Sequence, residues 1–214
     1  MAKLDTEQVV RIPIGEIQVE GALAIPEQAQ GVVIFAHGSG SSRFSPRNAF
    51  VARELRRDGI GILLIDLLTE AEEAIEAARF DVDLLTERLL RSTNWLRNQP
   101  CAQNLVIGYF GASTGAAAAL KAAAALGSGI GAVVSRGGRP DLAEEVLAQV
   151  QSPTLFIVGG RDDIVLRLNR QAYAQLKGTK QFEVVPGATH LFEEPGALEE
   201  VARLATRWFQ IHLR

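Results

Sequence analysis

"NLVIGYFGASTGAAAALKAAAAL", residues 104–126, changes character in its middle. The first half is short, apolar and rich in β-branched and aromatic side chains, the composition of a strand buried on both faces. The second half is almost all alanine and leucine, which are strong helix formers. Between the halves Ser113 stands in the pattern Gly111-x-Ser113-x-Gly115. This predicts a strand, a sharp turn and a helix with the serine at the corner, because glycines at these positions carry no side chains to collide across the turn. The alanines let the helix lie close to the sheet. Its first-turn N–H groups and positive dipole end fall where an oxyanion would form. The five-residue pattern alone arises by chance in roughly one chain in fifteen of this length, so the flanking strand and helix give it weight.

Outward from this corner, similar apolar runs recur: "GVVIFAHG" (31–38), "GIGILLID" (59–66), "GAVVSRGG" (131–138), "PTLFIVGG" (153–160) and "QFEVVPG" (181–187). Stretches with helical spacing lie between them, at 45–58, 80–98, 113–126, 140–149, 166–176 and 196–213. Such alternation predicts a three-layer α/β architecture, with helices on both faces of a mainly parallel sheet. Upstream, "VVRIPIG" and "IQVEGALAIP" meet at Gly15, which predicts an antiparallel N-terminal edge. Only a short helix's worth of chain separates 131–138 from 153–160, so no large cap domain is expected, and the site should be open and suited to short acyl groups. The acidic, alanine-rich segment 69–81 reads as a helix or as an ordered excursion over the sheet's edge.

Bulk properties narrow the function classes. A chain of 214 residues reads as one domain over 1–214, and its formal net charge of −3 lacks the basic excess of a nucleic-acid-binding face. Cys101 is the single cysteine, which excludes an internal disulfide. No run approaches the ~20 apolar residues of a membrane span, and the first residues do not resemble a signal peptide. The expectation is a cytoplasmic protein, monomer or homodimer, with neither nucleic acid nor membrane as partner.

A serine hydroxyl needs a base within hydrogen-bond reach, itself oriented by an acid. The chain has three histidines. His212 falls on an amphipathic helix near the C-terminus and reads as a surface or packing residue, while His37 in "AHGSGSS" could shape a turn. His190, in "VVPGATHLFEEPG", follows the last strand and is the expected base. The acid should come from a strand end between serine and histidine, where "LFIVGGRDDIV" offers Asp162 and Asp163; one of these should serve only as a turn or helix N-cap. The loop "FAHGSGSSRFS" could supply an N–H that pairs with the N–H of Thr114 as a two-donor oxyanion hole. It is not a phosphate loop, since Gly-Lys-Ser/Thr is missing and Arg43 stands where a dinucleotide fingerprint needs glycine. Arg43 and Arg136 could each receive a substrate carboxylate, although a salt bridge to segment 69–81 or to Asp141 is the simpler expectation.

Together "HGSGSS" (37–42), "GYFGASTG" (108–115), "VGGRDDIV" (158–165) and "PGATHLFEEPG" (186–196) resemble, in order and spacing, the α/β-hydrolases, and within them the dienelactone-hydrolase-like branch. The resemblance covers nearly the whole chain. It implies an α/β-hydrolase fold with Ser113 as nucleophile, Asp162 as acid, His190 as base, and Ser39 and Thr114 as oxyanion donors. Dienelactone hydrolase itself uses cysteine where this chain has Ser113, so the resemblance implies a serine esterase acting on a small-molecule ester without cofactor or metal. Some members of this branch resemble a domain joined to a phosphoribosyltransferase, and no second domain is expected here. Two other functions remain open at this level: a thioesterase or acyltransferase on the same residues, and a non-catalytic binding module that keeps the fold.

Overall fold

A computed structural model describes residues 4–214. Its strands are β1 (Leu4–Ile14), β2 (Ile17–Ile25), β3 (Gly31–Ala36), β4 (Gly61–Ile65), β5 (Val106–Ala112), β6 (Ala132–Arg136), β7 (Thr154–Gly159) and β8 (Lys180–Val185). They form one sheet in the order β1-β2-β4-β3-β5-β6-β7-β8. β1 and β2 pair antiparallel around the turn at Gly15, β2 joins β4 antiparallel, and every pair from β4 through β3 to β8 is parallel. The α/β architecture with an antiparallel N-terminal edge is therefore as the strand pattern requires.

The apolar runs are continuous because each strand has a helix layer on either side. Ile34, Tyr109, Val133 and Phe156 face one layer, and their neighbours Val33, Phe35, Phe110, Val134, Leu155 and Ile157 face the other. The first layer holds α4 (Val82–Arg97), α5 (Thr114–Leu126) and α6 (Asp163–Gln175), and the second holds α1 (Pro46–Arg57) and α7 (Ala197–His212). In α5 Ala116 to Leu120 are wholly buried, as expected of a helix laid against the sheet through small side chains. Among the described residues no helix is long and apolar enough to cross a membrane.

Two segments differ in detail from the sequence reading. The crossover at Pro140–Gln149 is a 3-10 helix interrupted at Ala143, where φ is −126° and ψ is 18°, and it does not form an α-helix. So short a crossover buries Ala143 and Leu147 on the sheet by abandoning regular α-helical geometry. No large cap is built there. Segment 69–81 forms two short helices, α2 (Glu70–Glu73) and α3 (Glu76–Phe80), the first closed by a capping box between Thr69 and Glu72.

At the opposite end of the sheet from the corner, Leu213 packs over three backbone positions that only glycine leaves open. A Cβ on Gly31 would lie 2.5 Å from Leu213 Cβ, and one on Gly131 would lie 2.9 Å from Leu213 Cδ2. A Cβ on Gly108 would meet the same side chain at 3.2 Å. This interlock ties the end of α7 to β3, β5 and β6. Leu213→Ala should therefore lower stability by about 2–4 kcal/mol, seen as a lower urea midpoint at unchanged slope; an unchanged midpoint would show that the C-terminal contact contributes nothing.

Candidate active site

The carboxyl ends of β3, β5 and β6 meet at Ser113. Its backbone has φ 51° and ψ −121°, a region that L-residues rarely enter. A Cβ on Gly111 would sit 2.4 Å from Ala116 Cα, and one on Gly115 would sit 2.2 Å from the Ala36 carbonyl oxygen. Both glycines are thus required by backbone against backbone. Ser113 N–H donates to the Arg136 carbonyl at 3.3 Å, and the Ser113 carbonyl accepts from Ala116 and from Arg139, each at 3.1 Å. Although Ser113 precedes α5, its side chain makes no capping bond, which leaves the hydroxyl for other work.

His190 lies on the loop after β8. Its Nδ1 is 2.7 Å from Asp162 Oδ2, with the histidine side chain 39% exposed and the aspartate 14%. Asp162 Oδ1 meanwhile accepts the Val165 N–H at 3.4 Å and caps α6. One aspartate thus performs both tasks that the sequence reading divided between two, because its two oxygens point to different donors. Asp163 is exposed in the first turn of α6. With Nδ1–H donated to a carboxylate, Nε2 is the ring nitrogen free to accept a proton.

The histidine loop is held by backbone. A Cβ on Gly159 would come within 2.5 Å of the carbonyl oxygens of Ala188 and Thr189. Arg161 N–H donates to the Ala188 carbonyl at 2.9 Å. Phe192 is buried at φ 57°, a strained conformation for an aromatic residue. On the serine side, a Cβ added to Gly137 would lie 3.5 Å from His190 Cε1, which places the imidazole over the turn that follows β6. Ser113 and His190 are not hydrogen-bonded to each other in this structure.

The glycine-serine loop after β3 is ordered by groups that the sequence reading did not connect. His37 is buried; its Nε2 accepts the Leu67 N–H at 3.0 Å, so Nδ1 carries the proton and donates to the Gly38 carbonyl at 2.9 Å. Burial pushes its pKa below the ordinary 6.5. Ser39 N–H donates to Thr114 Oγ1 at 2.9 Å and is therefore already engaged, contrary to the expectation of a free oxyanion donor. Gly40 N–H donates to Glu73 Oε1 at 3.1 Å. The acidic segment 69–81 thus braces this loop, and Glu72 anchors it to Arg88 on α4 at 2.6 Å.

Neither arginine stands free on an open rim. Arg43 pairs with Asp66, whose Oδ1 also accepts the Arg43 N–H at 2.8 Å, and reaches Glu20 at 2.6 Å. Two carboxylates therefore occupy the guanidinium expected to meet a substrate, and they are not those of segment 69–81. Arg136 is buried beneath the Phe192 ring at 5.7 Å and donates to Asn48 Oδ1 at 3.1 Å. Burial, with Arg47 alongside, lowers its pKa to about 10. Its place is under the histidine loop. His212, on α7, packs against Trp208 with ring centroids 4.3 Å apart and the rings tilted by 60°, as its helical position suggests.

Comparison with known proteins adds a family. A model of the dienelactone hydrolase family matches residues 19–211. A solved structure of dienelactone hydrolase from Anabaena variabilis superposes with TM-score 0.96 at 52% identity, covering 99% of this chain and 100% of that one. Est1E from Butyrivibrio proteoclasticus superposes with TM-score 0.82 over 95% of this chain and 98% of that one, at 15% identity, a likeness of fold alone. Proteins from two strains of Mycobacterium tuberculosis, provisionally named phosphoribosyl transferases, are 56% identical over 207 residues, which is 97% of this chain and 47% of theirs. The chain thus spans about half the length of the curated relatives it matches.

Two measurements probe this geometry. Gly115→Ala should cost about 3 kcal/mol or more in thermal or urea unfolding, because the new methyl group meets main-chain atoms with nowhere to move; near-wild-type stability would refute the close approach. His37 resists protonation when folded, whereas the unfolded chain takes up a proton below 6.5. Stability carried by neutral His37 is therefore present above that pH and lost as pH falls. The decline in urea midpoint from about pH 7.5 to about pH 5.5 should be shallower in His37→Asn than in wild type, and parallel declines would remove His37 as a cause.

Proposed function

We propose, from the premise that this chain belongs to the dienelactone hydrolase family, that it hydrolyses carboxylic esters through an acyl-enzyme on Ser113. The observation that carries this reading is the 2.7 Å hydrogen bond between Asp162 and His190 beside a serine held at positive φ. Asp162 fixes the imidazole tautomer and stabilises the imidazolium that forms. His190 Nε2 takes the Ser113 proton as the hydroxyl attacks the ester carbonyl. The tetrahedral oxyanion forms at the start of α5, where the Thr114 N–H and the helix dipole favour negative charge. His190 then protonates the leaving alcohol, and a water activated by the same nitrogen releases the acid. Each step uses side chains and backbone of this chain, and the cycle calls for no cofactor.

The short crossover between β6 and β7 supports short acyl groups as substrates, since no cap roofs the site to enclose a long chain. A serine in the nucleophile position favours simple esters over dienelactone. The phosphoribosyl transferase name belongs to proteins about twice as long, and the side chains gathered here are those of acyl transfer.

Hydrolysis of p-nitrophenyl esters from acetate to octanoate should fall with chain length and drop at least about 10⁴-fold in Ser113→Ala. Asp162→Asn should lose about 10⁴-fold in kcat, by favouring the wrong imidazole tautomer, and Asp163→Asn should lose almost none. A wild-type protein as inert as Ser113→Ala, towards these esters and towards a fluorophosphonate probe, would overturn the reading.

A further inference from the structure

The geometry points to the Thr114 side-chain hydroxyl, in place of the Ser39 amide, as the second hydrogen-bond donor to the oxyanion; this rests on the esterase reading above and refines it. Three consecutive amides of the loop after β3 already have acceptors. Ser39 N–H donates to Thr114 Oγ1 at 2.9 Å, Gly40 N–H to Glu73 Oε1 at 3.1 Å, and Ser41 N–H to the Gly38 carbonyl at 3.2 Å. Any of these three amides, Ser39 among them, could reach an oxyanion only by giving up its bond.

The Thr114 hydroxyl is in the opposite condition. Its oxygen accepts from Ser39, but a hydroxyl also has a proton to give, and no acceptor for it is found among the described residues. The residue is 2% exposed. Two threonines buried on α4 donate to the carbonyl one helical turn back, Thr86 to Val82 at 2.6 Å and Thr93 to Leu89 at 2.7 Å, whereas the Thr206 hydroxyl on α7 has no partner. Thr114 has no such carbonyl, because it is the first residue of α5 and the chain before it is strand and turn. A buried donor without an acceptor is costly, and a substrate oxygen in reach would complete it.

The hydroxyl is also in the right neighbourhood. Thr114 follows Ser113 directly, and the loop it grips lies against the nucleophile: a Cβ on Gly38 would be 3.0 Å from Ser113 Cβ and 3.7 Å from Ser113 Oγ. The Ser39 N–H holds Oγ1 in place and polarises its O–H bond. Thr114 thus contributes two donors to one oxygen, its backbone N–H and its hydroxyl.

The sign of one substitution separates the two arrangements. If the Ser39 amide were the donor, Thr114→Val would release it and leave kcat unchanged or raised. If the hydroxyl is the donor, Thr114→Val lowers kcat for p-nitrophenyl acetate by about 10²–10³-fold with KM little changed, and Thr114→Ser recovers most of the loss. The second readout is a crystal structure of the wild-type enzyme phosphonylated on Ser113 by a p-nitrophenyl alkylphosphonate. The expected result is a phosphonyl oxygen about 2.7 Å from Thr114 Oγ1, with Ser39 N–H still on that hydroxyl. A phosphonyl oxygen bonded to Ser39 N–H, with Oγ1 turned away, overturns the inference and leaves the esterase reading intact. A wild-type enzyme that neither hydrolyses the ester nor reacts with the phosphonate overturns both.

Discussion

Ser113 occupies a backbone conformation that its surroundings must impose, and most of the site follows from how they do so. A non-glycine residue at φ 51° stores about 1–3 kcal/mol of strain. That strain is met by packing α5 so close to β3 and β5 that Gly111 and Gly115 touch main chain with no room for a methyl group. The alanines behind Gly115 are wholly buried for the same reason. The serine side chain makes no capping bond to the helix it introduces, whose first residue, Thr114, follows it directly.

Around that corner, economy comes from single residues that serve two partners. Asp162 caps α6 with one oxygen and orients His190 with the other. His37 joins β3's exit to the strand exit at Leu67 through one ring nitrogen and steadies Gly38 through the other. Such bonds join the exits of β7 and β8 and, separately, those of β3 and β4. Arg136 carries a different tension: a charge buried without a carboxylate is expensive, and here it lies beneath the strained Phe192, under the loop that carries His190.

Much of this could be read from the chain itself. Strands covered on both faces leave unbroken β-branched runs, and their exits are marked by Gly38, Gly111, Gly137 and Gly159, so the topology and the sites of chemistry were visible together. Ser113 and His190 fall at or just after such exits, which is why the sequence singled them out as candidates. The crossover at 140–149 reads as a short helix and forms one, but its 3-10 geometry and the kink at Ala143 are not visible in its composition. Segment 69–81 was legible as acidic and ordered, but not as the brace of the Gly40 loop, since Glu73 and Gly40 meet only after β4 is laid beside β3.

The chain alone determined which side chains could do chemistry and at which strand ends they fall, because hydrophobic period, glycine placement and motif order are local properties. Only the tertiary structure decided which donors and acceptors are already satisfied. It set Asp162 and not Asp163 against His190, engaged Arg43 with Asp66 and Glu20, buried Arg136 under Phe192 and set Ser39 against the Thr114 hydroxyl. Each of these is a pairing between residues distant in sequence. Hydrogen bonds and ion pairs depend on distances of a few ångströms that no spacing along a chain encodes.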